Sequence, residues 1–345
     1  MSKRHQTLKT WITHTLSRQF HHPVQSFEIQ KIAGDASFRS YYRVIYQGYS
    51  FVVMDAPPEH EDCVPFINIA TQWSSAGVRV PKLIAQNLDE GFLLLEDFGD
   101  QVFALGLTPK TADVRYQKAL EELQKIQLLP VNQLPVYSSD LLMREMGLFR
   151  EWFLSSWLQL ELTDQEEKML SQVELKLTQS AQQQPQVVVH RDFHSRNLML
   201  LADGDIGVID FQDAVIGAVT YDLVSLLRDS YVNWSEDLVI EWLTGFYESS
   251  SMCRQLPWLD FMRAFDWMGM QRQLKVCGIF VRLCQRDGKK AYLQDIPLTF
   301  RNLMQSASRY DEFKAFADWL SQRILPELTA RPELSSLPSD YWECR

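Results

Sequence analysis

The sequence contains no run of apolar residues approaching the roughly 18 that a membrane-crossing helix needs. Its first twenty residues, Met1 to Phe20, mix charge with polarity and lack the apolar stretch of about 7–15 residues that marks a secretory signal. Neither a membrane partner nor export is expected. Cysteine is scarce: Cys63, Cys253, Cys277, Cys284 and Cys344 are odd in number, scattered, and form no C-x-x-C pair. That argues against a disulfide framework and a cysteine-rich zinc site and makes a reducing cytoplasm the expectation. Positive charge is in deficit, with 34 Lys+Arg against 44 Asp+Glu and a net charge of −10. Such a chain is poorly suited to the phosphate backbone, so no nucleic-acid partner is expected. What remains is ordinary for a folded protein, 46% hydrophobic and 23% charged over 345 residues, long enough for about two domains.

Two halves differ in pattern. From Phe27 to about Phe98, short runs rich in β-branched and aromatic residues predict strands at 27–32, 40–46, 51–54, 83–86 and 92–95, with one helix at about 61–76. From Thr108 onward the period is helical. Thr108 and Pro109 predict a helix start running to about Leu128, Asp140 a cap for a helix through Trp157, and Thr163 with Glu166 a capping box. Further helices are predicted at 221–229, 236–247, 259–286 and 311–324, with Cys277 and Cys284 as packing residues on one helix face. A β island interrupts this half: apolar runs at 187–189, 198–200 and 206–209, the last two joined by the turn Asp203-Gly204-Asp205.

The island carries the densest set of reactive side chains. His190-Arg191-Asp192-Phe193-His194-Ser195-Arg196-Asn197 follows one apolar run, and Asp210-Phe211-Gln212-Asp213 follows the next but one. H-R-D-x-x-x-x-N, a short hairpin, then a second Asp is the arrangement of kinase-type phosphotransferases. Transfer of a γ-phosphoryl group requires a carboxylate at the acceptor hydroxyl and oxygen ligands for magnesium, a hard cation. A rival reading takes His190, Asp192 and His194 as zinc ligands of a hydrolase, although no further ligand set is evident.

The segment 189–199, the run Ile209 to Ala214, and Gly217 with Tyr221-Asp222-Leu223 resemble the aminoglycoside phosphotransferase and choline kinase group. The resemblance implies an α+β fold with two kinase-like lobes: a small β-rich nucleotide lobe over residues 1–100, a hinge at about 95–100, and a larger, mainly helical substrate lobe over 101–345. It implies ATP as phosphoryl donor, Mg2+ as cofactor, Asp192 as the catalytic base or hydroxyl-orienting group, and Asn197 and Asp210 as magnesium ligands. His190, Asp213 and Asp222 become structural support, Asp222 bracing the catalytic loop. Gly34-Asp35-Ala36-Ser37-Phe38-Arg39 falls where the phosphate-covering loop lies, so Gly34, Ser37 and Arg39 become nucleotide contacts. Leu93 to Asp100 resembles the hinge, with backbone groups near Glu96 and Phe98 for adenine. One departure stands out: Met54 occupies the place of the phosphate-gripping lysine. Arg39, Arg43 and Arg196 are the candidate substitutes, and a non-catalytic nucleotide-binding protein is the alternative.

A closer resemblance spans nearly the whole chain. Residues 34–39, Met54 to Pro58, the hinge, Arg144-Glu145 before Trp152, Asp266-Trp267, Gln271-Arg272, Lys275, Gly278 to Phe280, Arg282-Leu283 and Arg286 to Lys289 look like the bacterial cell-wall sugar kinases. Those enzymes phosphorylate the anomeric hydroxyl of N-acetylmuramate and N-acetylglucosamine in peptidoglycan recycling, and Met54 is familiar among them. This implies an amino-sugar acceptor contacted by Arg144, Glu145, His194, Gln271, Arg272 and Lys275, with Lys275 or Arg272 facing the lactyl carboxylate. The bland alternative makes Gln271, Arg272 and Lys275 the wet face of a long helix. A monomer is expected, and other small-molecule acceptors, an aminoglycoside or choline, remain open.

Overall fold

The computed structural model describes residues 3–34, 38–131, 134–335, 337 and 341, which form two compact units. The first comprises Met1–Gln101 with Met199–Gln212, and the second Val102–Leu198 with Asp213–Arg345.

The first unit is built on a five-stranded antiparallel sheet. Helix α1 (Lys3–Gln19) leads into β1 (Glu28–Gly34), β2 (Ser40–Tyr46) and β3 (Tyr49–Asp55). Then come α2 (Val64–Ser75), β4 (Leu83–Asn87) and β5 (Phe92–Glu96), in spatial order β1-β2-β3-β5-β4. Gln47 and Gly48, both at positive φ, make the tight turn that sets Tyr46 opposite Tyr49 and fixes the β2–β3 register. Leu8, Ile12 and Leu16, one helical turn apart, bury the inner stripe of α1 against Val44, Phe51, Val53, Phe92 and Leu94. The sequence gives α1 no capping signal, and its mean polarity hides it. Helix α2 starts later than 61 because the Asp62 carboxylate accepts the Val64 N–H at 2.8 Å.

The hairpin Leu198–Leu200 and Ile206–Val208 turns at Gly204 (φ 84°), with the Asp205 N–H donating to the Asp203 carboxylate at 3.0 Å. Gly207 lies under the Phe98 ring, where an added Cβ would meet ring carbon at 2.5 Å. Residues 199–212 are thereby tied to the end of β5: Val208 N–H donates to Arg79 C=O at 2.8 Å, and Phe211 packs on Phe66 and Trp73.

The second unit is mainly helical: α3 (Ala112–Gln127), α4 (Ser139–Leu148), α5 (Asp164–Gln183), α6 (Tyr221–Leu227), α7 (Glu236–Ser249), α8 (Trp258–Asp287) and α9 (Ile296–Ser308), with shorter turns to Leu334. Two expected starts shift. Thr111, rather than Thr108, precedes α3, because residues 108–111 close a turn first. The cap of α4 is Ser138, whose side chain accepts the Leu141 N–H, rather than Asp140. Only the Thr163–Glu166 box forms as read. The stretch Phe149–Trp157 continues α4 as a π-helix, and the region 311–324 is a 3-10 turn, a short α-helix and a π-turn. Helix α9 and the strand Val215–Ala218, which pairs with Gln186–Val189, carry no strong local signal.

Helix α8 is the axis of this unit, packed on α4, the π-helix, α5, α6 and α9. Surrounded so, it buries polar residues as well as apolar ones: Gln271 is 0%, Arg272 3% and Lys275 5% exposed. They are not a wet face. Cys277 is buried on the same helix. Among the described residues no helix is long and apolar enough to cross a membrane.

Candidate active site

Strand Gln186–Val189 delivers the chain into a loop at His190, and each loop residue is fixed by a particular contact. Arg191 sits at φ 75°, in the left-handed region that costs a non-glycine residue about 1–3 kcal/mol unless its surroundings impose it. They do. The buried Asp222 carboxylate at the start of α6 accepts the backbone N–H groups of His190 at 2.7 Å and Arg191 at 3.1 Å. The Arg191 guanidinium pairs with Glu145 at 2.6 Å, donates to the Asp213 carbonyl at 3.4 Å, and lies over the Tyr137 ring. His190 is wholly buried, and its Nδ1 accepts the Asp192 N–H at 3.2 Å, so the ring faces the loop backbone. Downstream, the Asp229 carboxylate accepts the N–H groups of Ser195 (3.0 Å) and Tyr231 (3.2 Å). Asp229 was not evident in the sequence, where it reads as the end of a helix.

The effect is a carboxylate carried on a rigid turn. Burial pushes the Asp192 carboxyl up, but the positive charges around it, Lys275 foremost and Arg191 with it, outweigh that and hold it below the ordinary carboxylate range. Lys275 reaches this loop from α8, with its ammonium 3.2 Å from Glu145 and 3.0 Å from the Tyr221 hydroxyl. Tyr137 also donates to Glu145. Burial raises the Glu145 carboxyl, yet Lys275, Arg191 and Tyr137 together lower it. For Lys275, burial alone would favour the neutral amine, and Tyr221, Glu145 and Asp192 reverse that. Burial likewise lowers the His194 pKa, against the pull of Asp229 and Asp192, which favours a neutral ring.

Asn197 follows on the same loop. Its amide nitrogen donates to the Asp192 carbonyl at 3.1 Å, which sets the amide oxygen as the acceptor end. In the first unit Asp210 sits at φ 65°, and Gln212 donates to its carboxylate at 2.8 Å. One amide oxygen and one carboxylate are the donors that a hard, oxygen-seeking dication takes, so the residue types fit magnesium. Among the described residues no group of three or more His, Cys, Asp and Glu side chains gathers to hold a metal, so His190, Asp192 and His194 do not form a zinc site.

The remaining candidates divide between the units. In the first, Met54 is fully buried in β3 between Tyr41 and Leu93. Arg39 makes two hydrogen bonds to Glu61, at 3.1 and 3.0 Å, and the Phe38 N–H donates to the same carboxylate at 3.3 Å. Arg43 is held by Asp97 (2.6 Å) and Asp100 (2.7 Å). Glu96 pairs with Arg79 at 2.6 Å, and its N–H donates to Lys82 C=O at 2.9 Å. The Arg79 guanidinium stacks on the Phe98 ring at 4.8 Å. Gly34 ends β1, while Ser37 lies outside the described residues. In the second unit Arg196 lies 3.6 Å over the Tyr231 ring and 3.4 Å from Asp295, and Arg144 is exposed on α4.

Residues 28–262 match the family model described as phosphotransferase enzyme family. The chain is 41% identical over 326 residues to the N-acetylmuramate/N-acetylglucosamine kinase of Pseudomonas aeruginosa, covering 92% of this chain and 96% of that one. It is 37% identical over 339 residues to the Neisseria meningitidis protein of the same name, covering 95% and 97%. The fold is similar to that of a choline kinase from Streptococcus pneumoniae, with a TM-score of 0.59 at 11% identity over 88% of this chain and all of that one. A β-sheet N-terminal lobe and a larger helical lobe are common to both.

Proposed function

The chain belongs to the phosphotransferase enzyme family and is a small-molecule kinase, and from that premise we propose that its acceptor is an amino sugar, N-acetylmuramate or N-acetylglucosamine, phosphorylated by ATP at the anomeric hydroxyl. The observation that carries the reading is Asp192: a carboxylate kept ionised by surrounding cations and held on a loop braced from Asp222, Glu145 and Asp229.

An ionised carboxylate accepts the hydrogen bond of the acceptor hydroxyl and turns its oxygen lone pair toward the γ-phosphorus. As the new O–P bond forms and the bond to the ADP oxygen breaks, the hydroxyl proton passes to Asp192 Oδ. Asn197 and Asp210 would hold Mg2+, whose charge offsets that of the β- and γ-phosphates. Arg39, at the β1–β2 connection and steered by Glu61, takes the phosphate-gripping part that Met54 cannot. The adenine lies at the Glu96–Phe98 segment. The product of the proposed reaction is a sugar 1-phosphate, a substrate for nucleotidyl transfer, and cytoplasmic recycling of cell-wall sugars is the role proposed for it.

ATP consumption measured with N-acetylmuramate, N-acetylglucosamine, glucosamine, choline and kanamycin, followed by phosphorus NMR of the product, tests this. Turnover that requires Mg2+, stops on chelation, and places phosphate on C1 of an N-acetyl sugar is expected. Phosphate on another hydroxyl or on choline would refute the acceptor, and no turnover with any compound would favour the non-catalytic alternative.

A further inference from the structure

Helix α8 presents two buried cations to the catalytic loop, and their circumstances are opposite. Lys275 is ion-paired with Glu145 and hydrogen-bonded to Tyr221. Arg272 is 3% exposed, yet among the described residues no carboxylate, carbonyl or hydroxyl accepts a hydrogen bond from its guanidinium, and its Nη1 is fully enclosed. Arg272 stands three residues before Lys275 on α8, on the same helix face as the ammonium bonded to Glu145 and Tyr221, and its charge is felt at His194, Asp222 and Tyr231. The other arginines of this region are engaged: Arg191 with Glu145, Arg228 with Asp266 and Glu236, and Arg196 with Asp295.

Two neighbours share the condition of Arg272. His194, two positions beyond Asp192, keeps a buried Nδ1 with no hydrogen-bond partner, and the wholly buried Gln271 has both amide atoms unpaired. Enclosing a guanidinium without an acceptor is among the least favourable arrangements in a protein interior, and an anion supplied by a ligand relieves it. A guanidinium offers a planar pair of N–H donors that matches a carboxylate, and the unpaired imidazole and amide add further hydrogen-bonding groups.

We propose that Arg272, assisted by His194, is the specificity-determining cation of the acceptor site and takes the carboxylate of an acidic sugar, so that Lys275 is left as a positioning residue for Asp192. The proposal rests on the amino-sugar reading above. It assigns the lactyl carboxylate of N-acetylmuramate to Arg272, and it leaves N-acetylglucosamine, which lacks that group, without this contact.

The experiment compares wild type with Arg272→Gln and Arg272→Lys, measuring kcat/KM for both sugars and calorimetric binding of N-acetylmuramate and of its carboxylate methyl ester. In Arg272→Gln the N-acetylmuramate to N-acetylglucosamine ratio of kcat/KM falls about ten-fold or more, chiefly through KM, and Arg272→Lys recovers part of it. Wild type binds the acid about ten-fold or more tighter than the ester, a comparison that needs no variant to fold. Equal losses for both sugars, an unchanged ratio, or equal binding of acid and ester would overturn the assignment. The two readings separate cleanly. Tighter binding of the acid without phosphorylation of either sugar would sink the kinase reading and keep the subsite. Phosphorylation with no preference for acid over ester would do the reverse.

Discussion

The Lys275 ammonium lies 3.2 Å from the Glu145 carboxylate, joining the middle of α8 to α4 directly beside the loop that carries Asp192. Both side chains are buried, and although Arg191 shares Glu145, losing either member of the pair leaves buried charge less well compensated. Removing one partner by Glu145→Gln or Lys275→Met therefore costs about 3–5 kcal/mol in unfolding free energy, and the double variant costs less than the sum of the singles. Urea unfolding of the four proteins measures the coupling. Strict additivity would mean that the pair contributes nothing beyond its two separate side chains.

Asp222 carries a pH dependence of definite sign. Its burial pushes the carboxyl up to about 7, against the hydrogen bonds from the His190 and Arg191 N–H groups. A folded-state pKa above the unfolded one means that the unfolded chain ionises first as pH rises. The contribution of Asp222 is thus fully present below about pH 4 and is lost as pH rises through about 7. The stability of wild type relative to Asp222→Asn should accordingly fall between about pH 4 and 7 and level off above, as read from thermal unfolding across that range. A difference that rises over this window would contradict the burial argument.

Gly278 tests the packing of α8. A Cβ there would come within 2.4 Å of the Leu148 carbonyl group, where α4 passes into the π-helical stretch. Alanine ordinarily gains about 1 kcal/mol over glycine inside a helix. Here a backbone group must move, and overpacking of this kind costs about 1–3 kcal/mol net. Gly278→Ala should lower the unfolding midpoint, whereas the same change at Gly147, where the added Cβ meets nothing within 4 Å, should not. A raised midpoint in Gly278→Ala would show that the contact is looser than described.

Much of this was legible in the sequence where local chemistry and long-range structure agree. The β-branched runs of β2, β3 and β5 became the sheet, and the Thr163–Glu166 box became the start of α5. The loop 190–197 stood out because its residue types are ionisable and polar, out of keeping with the apolar run that leads into it. Helix α1 was missed because its apolar stripe is only Leu8, Ile12 and Leu16, a pattern that has meaning once β2, β3 and β5 exist to cover it. The polar positions of α8 misled for the opposite reason. Gln271, Arg272 and Lys275 look like a solvated face until the helices packed around α8 bury them, and only then does the paired Lys275 differ from the unpaired Arg272. The bracing role of Asp229 depends on a contact 34 residues away in sequence, which no local pattern encodes.

In the proposed reaction the Asp192 carboxylate orients and deprotonates the acceptor hydroxyl. Single-turnover phosphorylation of N-acetylmuramate at saturating ATP and Mg2+, in wild type and Asp192→Asn, tests it most directly, with nucleotide affinity measured alongside. General-base catalysis and orientation together predict a rate lower by about 10³-fold or more in Asp192→Asn. ATP binding should stay within a few-fold of wild type. A variant that transfers phosphate at near wild-type rate would contradict the account.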